Sequence, residues 1–216
     1  MIHLQNIRKS FESEAESAPV LAFSDWRVEA GERIALCGES GSGKTTLLNM
    51  LSGLLVPDSG MVEIAGTDLA RLSEVQRDRF RAAHIGYVFQ TFHLLDGYTV
   101  LENVELGGLF GRGRLDAGRA DALLDLVGLG ERKNHLPSQL SVGQQARVAF
   151  ARALANKPDV LLADEPTGSL DHKTGRQVLD LMLHTAEEHG ITVVCATHDQ
   201  EVASAFHHTV QVEELQ

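Results

Sequence analysis

Between residues 38 and 46 the sequence is GESGSGKTT, in which Gly38, Gly43, Lys44 and Thr45 stand at the spacing G-x-x-x-x-G-K-[ST]. The chemistry of that spacing is phosphate binding. Its glycines, with Ser40 and Gly41 between them, let the main chain curl so that successive N–H groups converge on phosphate oxygens. A helix opening at that point adds about half a positive charge. Lys44 supplies a full charge for the β- and γ-phosphates, Thr45 offers a hydroxyl to Mg²⁺, and Thr46 lies within reach of the α-phosphate. A second pair, Asp164 and Glu165, follows the apolar run VLLA. A carboxylate at the end of a buried strand organises Mg²⁺. Its neighbour, aimed differently, suits a general base acting on a water beside the γ-phosphate, a role worth ~10²–10⁴-fold in rate. The two segments together imply a Mg²⁺-assisted nucleotide-hydrolysis site.

Such a site needs a strand to enter the loop, a helix to leave it and a sheet to carry the carboxylates. The sequence supplies them in order. Ile2 to Ile7 alternates as a half-buried strand, Glu12 to Pro19 is a polar hairpin loop, and Val20 to Val28 resumes strand character. The apolar run Arg33 to Cys37 enters the glycine loop, and residues 46–55, TLLNMLSGLL, have helical spacing. Pro57-Asp58-Ser59-Gly60 is a turn signal before the strand-like MVEIAG. Ser73 with Gln76, Thr99 with Glu102 and Ser141 with Gln144 each make a capping box that starts a helix, the first running to about Ala83. IGYVFQ is strand-like, GGLFGRGR is glycine-rich, and DALLDLVGL is helical. Residues from about 91 to 156 therefore form a helical insert. DVLLAD and ITVVCAT are runs suited to strands buried on both faces of a parallel sheet, with a helix from about Thr174 to His189 between them, stopped by Gly190. The expected fold class is α/β with right-handed crossovers, one domain over residues 1–216 with an embedded helical lobe.

Composition sets the boundaries. Among 216 residues, 19 Lys and Arg against 30 Asp and Glu give a net charge of −11. General attraction to nucleic acid or anionic lipid needs the opposite sign, so any phosphate must be held by a local site. Cys37 and Cys195 sit in apolar runs with no CxxC or CxxH neighbours, which indicates buried thiols rather than zinc ligands or a disulfide. His207 and His208 are adjacent on a strand-like segment, point to opposite faces and make a poor metal pair. The N-terminal MIHLQNIRKSF lacks the apolar core of a secretion signal, and no run approaches the ~20 apolar residues of a membrane span. A cytoplasmic chain is expected, with any membrane role supplied by a separate partner.

Four further segments narrow the class: Gln90 in YVFQ, LSVGQQ at 140–145, SLD at 169–171 and His198 in ATHD. Together and in this order they make the chain resemble the ATPase subunit of an ABC transporter, from about Met1 to Val212. The resemblance implies the family's ATPase head: a P-loop core with a mostly parallel sheet, an N-terminal antiparallel β subdomain and an inserted helical subdomain. It implies ATP and Mg²⁺ as ligands. Gln90 takes the place of the glutamine that senses Mg²⁺ and the water. Phe11, at the end of the first strand, stands where an aromatic stacks on adenine. His198 resembles the switch histidine that contacts the γ-phosphate, and Asp171 the residue that couples two sites across a dimer.

In LSVGQQ, Ser141 as N-cap and the free N–H groups of the helix it starts make a second anion site. By the resemblance, Ser141, Gly143 and Gln144 close on the γ-phosphate held by another subunit, with Gly143 permitting the closest approach. The chain departs from the family at Val142, where the usual pattern has a glycine, and this weakens or slows closure.

DEPTGSLD, QTFHLL and YTVLENV resemble the lipoprotein-release, macrolide-efflux and cell-division group. With the last strand close to residue 216, the regulatory domain that many sugar-importer ATPases carry is not expected. A pair of ATPase subunits, identical or not, is implied, with an integral membrane permease or FtsX-like subunit docking on Phe92, His93 and residues 94–104. The expected place is the cytoplasmic face of the inner membrane. The alternative function is an ATPase that regulates an envelope or cell-division complex without moving a substrate. A DNA-repair ATPase with this head is disfavoured, because neither a long coiled coil nor metal-binding cysteines interrupts the chain and its net charge repels nucleic acid.

Overall fold

The protein, seen as a computed structural model, is described over residues 1–11, 20–112 and 117–215. Its strands are β1 (Ile2–Lys9), β2 (Leu21–Val28), β3 (Arg33–Cys37), β4 (Ser59–Ile64), β5 (Thr67–Asp68), β6 (Ile85–Val88), β7 (Val160–Asp164), β8 (Thr192–Ala196) and β9 (His208–Gln211). Its helices are α1 (Lys44–Leu51), α2 (Glu74–His84), α3 (Val100–Arg112), α4 (Ala117–Leu126), α5 (Val142–Leu154), α6 (His172–His189), α7 (Gln200–Ala203) and α8 (Val212–Leu215). The strands make an antiparallel sheet in the order β2-β1-β4-β5 and a parallel sheet in the order β6-β7-β8-β3-β9.

The parallel sheet is buried on both faces, and the period of two sorts its side chains between two cores. Leu161, Ala163, Val193 and Cys195 face a core shared with α3 to α6. Val160, Leu162, Val194 and Ala196 face a second core built with α1 and the antiparallel sheet. Continuous apolar runs such as VLLA arise for this reason. Between residues 100 and 154 the described elements are helices and two 3-10 turns. Of these, α5 joins the main core through Val148, Phe150 and Ala151, and so ties the helical region to the sheet.

Several boundaries differ from the sequence reading. β1 continues to Lys9, and Asn6 with φ 51° bulges it, so burial passes from Ile2 and Leu4 to Ile7. Gly60 is not in a turn but in β4 opposite that bulge. A Cβ there would stand 2.4 Å from the Asn6 carbonyl oxygen, and its φ is 104°. The first helix stops at Leu51 instead of continuing through residue 55. Gly53 turns left-handed, and the Leu55 N–H donates back to the Asn49 carbonyl. α6 starts at His172, two residues early, because the Asp171 carboxylate accepts from the Thr174 N–H at 3.0 Å. The three capping-box helices begin where expected. The hairpin loop over 12–19 lies outside the described residues, as does part of the glycine-rich stretch after Arg112.

Candidate nucleotide site

The ends of β6, β7, β8 and β3 are neighbours in the parallel sheet, and each is followed by a residue singled out in the sequence: Gln90, Asp164 with Glu165, His198, and the glycine loop. Carboxyl ends of parallel strands are where such sheets bind ligands. The loop enters α1 through Gly43, whose φ of 101° and lack of a side-chain cap leave the first N–H groups of α1 free of side-chain acceptors. A Cβ at Gly43 would meet Leu21 Cδ2 at 2.9 Å, so the loop is seated directly on β2. Lys44 is buried, and its Nζ donates to the carbonyls of Gly38 at 2.6 Å and Glu39 at 2.8 Å. A cation folded back over converging N–H groups is a fitting receptacle for an anion. It also reconciles phosphate binding with a net charge of −11, because the field that matters is local. Ser40, Gly41 and Thr45 are exposed, and Thr46 is half-buried.

The two halves of the site meet at a hydrogen bond. Thr45 Oγ1 donates to Asp164 Oδ2 at 3.0 Å, although 119 residues separate them. Burial pushes the Asp164 carboxyl above the ordinary aspartate range, the Thr45 hydroxyl opposes the shift, and the charge of Glu165 adds to it. A hydroxyl and a carboxylate whose charge is poorly solvated suit a hard divalent cation, whose positive charge would relieve the strain on Asp164.

Glu165 turns away from Asp164. Its φ is 45°, unusual for a residue with a Cβ, and the turn is locked by Glu165 N–H donating to the Ala196 carbonyl and by Gly168 N–H donating to the Glu165 carbonyl, each at 3.0 Å. Backbone strain of about 1–3 kcal/mol, held in place by surrounding bonds, is a mark of functional sites. The turn sends the Glu165 carboxylate to the end of β8, where Oε1 accepts from the His198 backbone N–H at 3.0 Å and meets His198 Nδ1 at 2.7 Å. Glu165 is 14% exposed at its side chain, whereas His198 is 72% exposed. The exposed Gln90 completes the group. A Cβ at Gly168 would lie 3.8 Å from Gln90 Nε2, so Gly168 gives that amide room beside the Glu165 turn.

Phe11 lies two residues past β1, 48% exposed, with Lys9 Nζ 5.6 Å from its ring centroid. The same hairpin touches the phosphate loop, since the Val20 carbonyl would be 3.2 Å from a Cβ on Gly43. Ser141 is exposed and caps α5: its Oγ accepts from Gln144 N–H at 3.3 Å, and its own N–H donates to Gln144 Oε1 at 3.0 Å. The hydroxyl proton remains available for a ligand. Gly143 is buried, and a Cβ there would be 2.3 Å from Thr174 Cγ2. Glycine is therefore required first by the packing of α5 on α6, three residues after Asp171. Val142 is the outward residue, 47% exposed.

Phe92 corrects the docking expectation. It is 5% exposed and packs with Ala146, Ala149 and Val178, so it cannot offer its ring to a partner. Sequence reading also passed over the residues that shape the chain after Gln90. Arg152 donates to the carbonyls of Phe92 and His93, each at 2.6 Å, across a turn in which both have positive φ. The buried Asn103 donates to Leu95, Tyr98 and Thr99 carbonyls and accepts from Leu95 N–H. An Arg and an Asn inside amphipathic helices were the available signals. His207 is held by Arg33 at 3.1 Å, and His208 stands 3.7 Å from Glu32, so the two histidines have separate partners.

Comparison with known proteins gives the family. A family model described as ABC transporter matches residues 21–168. The lipoprotein-releasing system ATP-binding protein LolD of Pseudomonas syringae pv. tomato is 42% identical over 215 residues, covering 99% of this chain and 95% of that protein. The macrolide export ATP-binding/permease protein MacB of Rhodopirellula baltica is 45% identical over 218 residues, but this chain spans only 32% of its length. Among solved structures, a dimeric post-hydrolysis state of the ATP-binding cassette MJ0796, bound to ADP and Pi, superposes with a TM-score of 0.88 at 39% identity, over 98% of this chain and 95% of that one.

Proposed function

Because the chain belongs to the ABC transporter family, we propose that it is the ATP-hydrolysing subunit of a membrane complex of lipoprotein-release or macrolide-efflux type. The observation that carries the reading is the Thr45–Asp164 hydrogen bond beside Glu165, which joins a phosphate loop, a cation pair and a base in one place. The loop N–H groups and the N-terminus of α1 hold the phosphates, and Lys44 exchanges its two carbonyl acceptors for β- and γ-phosphate oxygens. Thr45, Asp164 and Gln90 would hold Mg²⁺, which when bound neutralises charge on those oxygens. Glu165 takes the proton of the attacking water, and His198, already hydrogen-bonded to it, orients the carboxylate and reaches the γ-phosphate. Phe11 offers its exposed face to adenine.

Ser141, Gly143 and Gln144 stand at the outward N-terminus of α5, where the cap pairs only the Ser141 and Gln144 N–H groups, and they complete the site of a second ATPase subunit, with Asp171 linking the two. The dimeric relative supports this pairing. The helical segment over about 91–156 is the lobe that carries this surface. The membrane partner, a permease or FtsX-like subunit, docks in a cleft of about 610 Å³ lined by Leu54, Tyr87, Phe89, His93 and Arg152. That cleft replaces Phe92 as the contact. The chain works at the cytoplasmic face of the membrane, and no helix among the described residues is long and apolar enough to cross it. Its net charge of −11 makes nucleic acid a poor partner.

The test is Glu165→Gln, which keeps the shape of the side chain and removes the base. Steady-state hydrolysis is expected to fall by ~10²–10⁴-fold, while size-exclusion chromatography with ATP shows a stable pair. Undiminished hydrolysis would remove Glu165 from the role.

A further inference from the structure

The side chain of Glu213, at the opposite end of the chain from the phosphate loop, is built into that loop. β9 runs parallel to β3, pairing Cys37 with Gln211, and α8 follows at once. The chain thereby delivers Glu213 to the point where β3 becomes the loop. Glu213 Oε1 accepts the Glu39 backbone N–H at 3.1 Å. A Cβ on Gly38 would stand 2.8 Å from both carboxylate oxygens of Glu213 and 2.5 Å from Ser42 Oγ. The space over Gly38 is therefore filled by a carboxylate and a hydroxyl in contact range of each other, and only glycine at 38, with φ 151°, admits them. Hydrogen bonds from its own N–H and from Glu39 hold the Glu213 carboxyl below the usual glutamate range, with smaller contributions from the Ser42 hydroxyl and the charge of Lys44. Gly38, Glu39 and Glu213 line a cleft of about 750 Å³ that also includes His198.

We propose that Glu213 is a positioning residue for nucleotide binding: its carboxylate clamps the Gly38–Ser42 turn and so presets the curl of the phosphate loop. The proposal rests on the reading of that loop as the nucleotide site. Lys44 and Glu213 hold the turn from two sides. The ammonium takes the carbonyls of Gly38 and Glu39, and the carboxylate takes the Glu39 N–H. When Lys44 leaves its carbonyls for phosphate, the Glu213 carboxylate stays on the turn beside the bond from Ser42 N–H to the Glu39 carbonyl. A negative charge this close to a triphosphate opposes binding by repulsion, so its presence makes sense only if the order it imposes outweighs that repulsion.

Hydrogen bonding and charge act in opposite directions here, and two substitutions separate them. Glu213→Gln keeps an acceptor for Glu39 N–H and removes the charge. Glu213→Ala removes both. The expected result is an ATP dissociation constant for Glu213→Ala raised about tenfold, equivalent to about 1.4 kcal/mol, with Glu213→Gln equal to or tighter than the parent. Hydrolysis at saturating ATP stays within about threefold in both, since the clamp acts on binding more than on the chemical step. Amide hydrogen exchange without nucleotide supplies an independent readout, with faster exchange at Glu39–Gly43 in Glu213→Ala alone. If both variants tighten ATP equally, Glu213 is only an unfavourable charge, and if Glu213→Ala leaves affinity and exchange unchanged, there is no clamp. Either result overturns the proposal. A parent protein that failed to bind ATP would instead undo the functional reading, leaving the exchange result to judge the clamp.

Discussion

The phosphate loop and the N-terminus of α5 are both junctions where a helix begins and presents backbone N–H groups, yet they are finished in opposite ways. The loop is closed upon itself: Lys44 takes two of its carbonyls, Glu213 takes one of its N–H groups, and β2 packs against Gly43. It sits at the ends of four buried strands, with Thr45 bonded to Asp164 and, next along the chain, Glu165 bonded to His198. The α5 terminus has a neutral serine cap and an exposed valine, and its side-chain bonds stay local: Ser141 with Gln144, Gln145 with the Pro137 and Leu140 carbonyls, and Arg147 with the Gly143 carbonyl. A helix N-terminus with only a hydroxyl and two amides is a weak anion site alone. It becomes useful when a phosphate already held elsewhere is brought to it. On the proposed reading, one junction binds and the other completes.

This contrast breaks most sharply at Lys44. Replacing it with Ala removes the donor to the Gly38 and Glu39 carbonyls and leaves the phosphates without their charge-assisted partner, contacts worth about 1.5–3 kcal/mol apiece. ATP affinity, followed by calorimetry, is expected to fall by about 100-fold or more. The same measurement on Ser141→Ala should move by less than about twofold, because on the proposed reading that hydroxyl serves another chain's nucleotide. Instead, hydrolysis at saturating ATP falls by about tenfold, and the fold loses about 1 kcal/mol of helix-cap stability in chemical denaturation.

Val142→Gly sharpens the comparison in the other direction. Removing the outward isopropyl opens the path to the Val142 and Gly143 amides, so ATP-dependent pairing tightens by about threefold while α5 loses about 0.5 kcal/mol through the poorer helix propensity of glycine. Weaker pairing would mean that the valine makes a favourable contact across the interface, and sedimentation of the two proteins with ATP decides the sign.

Most of this architecture could be read from the chain because its causes are local. Runs such as VLLA and TVVC have no polar face, which leaves a strand covered on both sides as their natural setting. Capping boxes mark helix starts through contacts three residues apart, and the structure places them at Ser73, Thr99 and Ser141. What sequence alone missed depends on distant partners. Gly60 is needed because Asn6 bulges toward it, and Gly143 because Thr174 fills its side-chain space. Phe92 has the look of an exposed loop aromatic until α5 and α6 are packed over it. Glu213 meets Glu39 across 174 residues of chain, through a strand pairing that no local pattern announces. Asp164 and Glu165 were legible because they close and follow an apolar strand run, and Gln90 and His198 through the family resemblance, whereas the mutual distances of the four came only with the sheet order.

The central claim, that each pocket is finished by a serine-capped helix from another chain, is tested most directly by mixing two disabled variants. Lys44→Ala cannot hold nucleotide, and Ser141→Ala cannot complete a neighbour's site. A mixed pair contains one pocket with the intact loop of the second and the intact cap of the first. The account predicts that equal amounts of the two, combined with ATP, hydrolyse it well above the average of the separate proteins. A rate equal to that average, across concentrations at which pairing is seen by sedimentation, would contradict it.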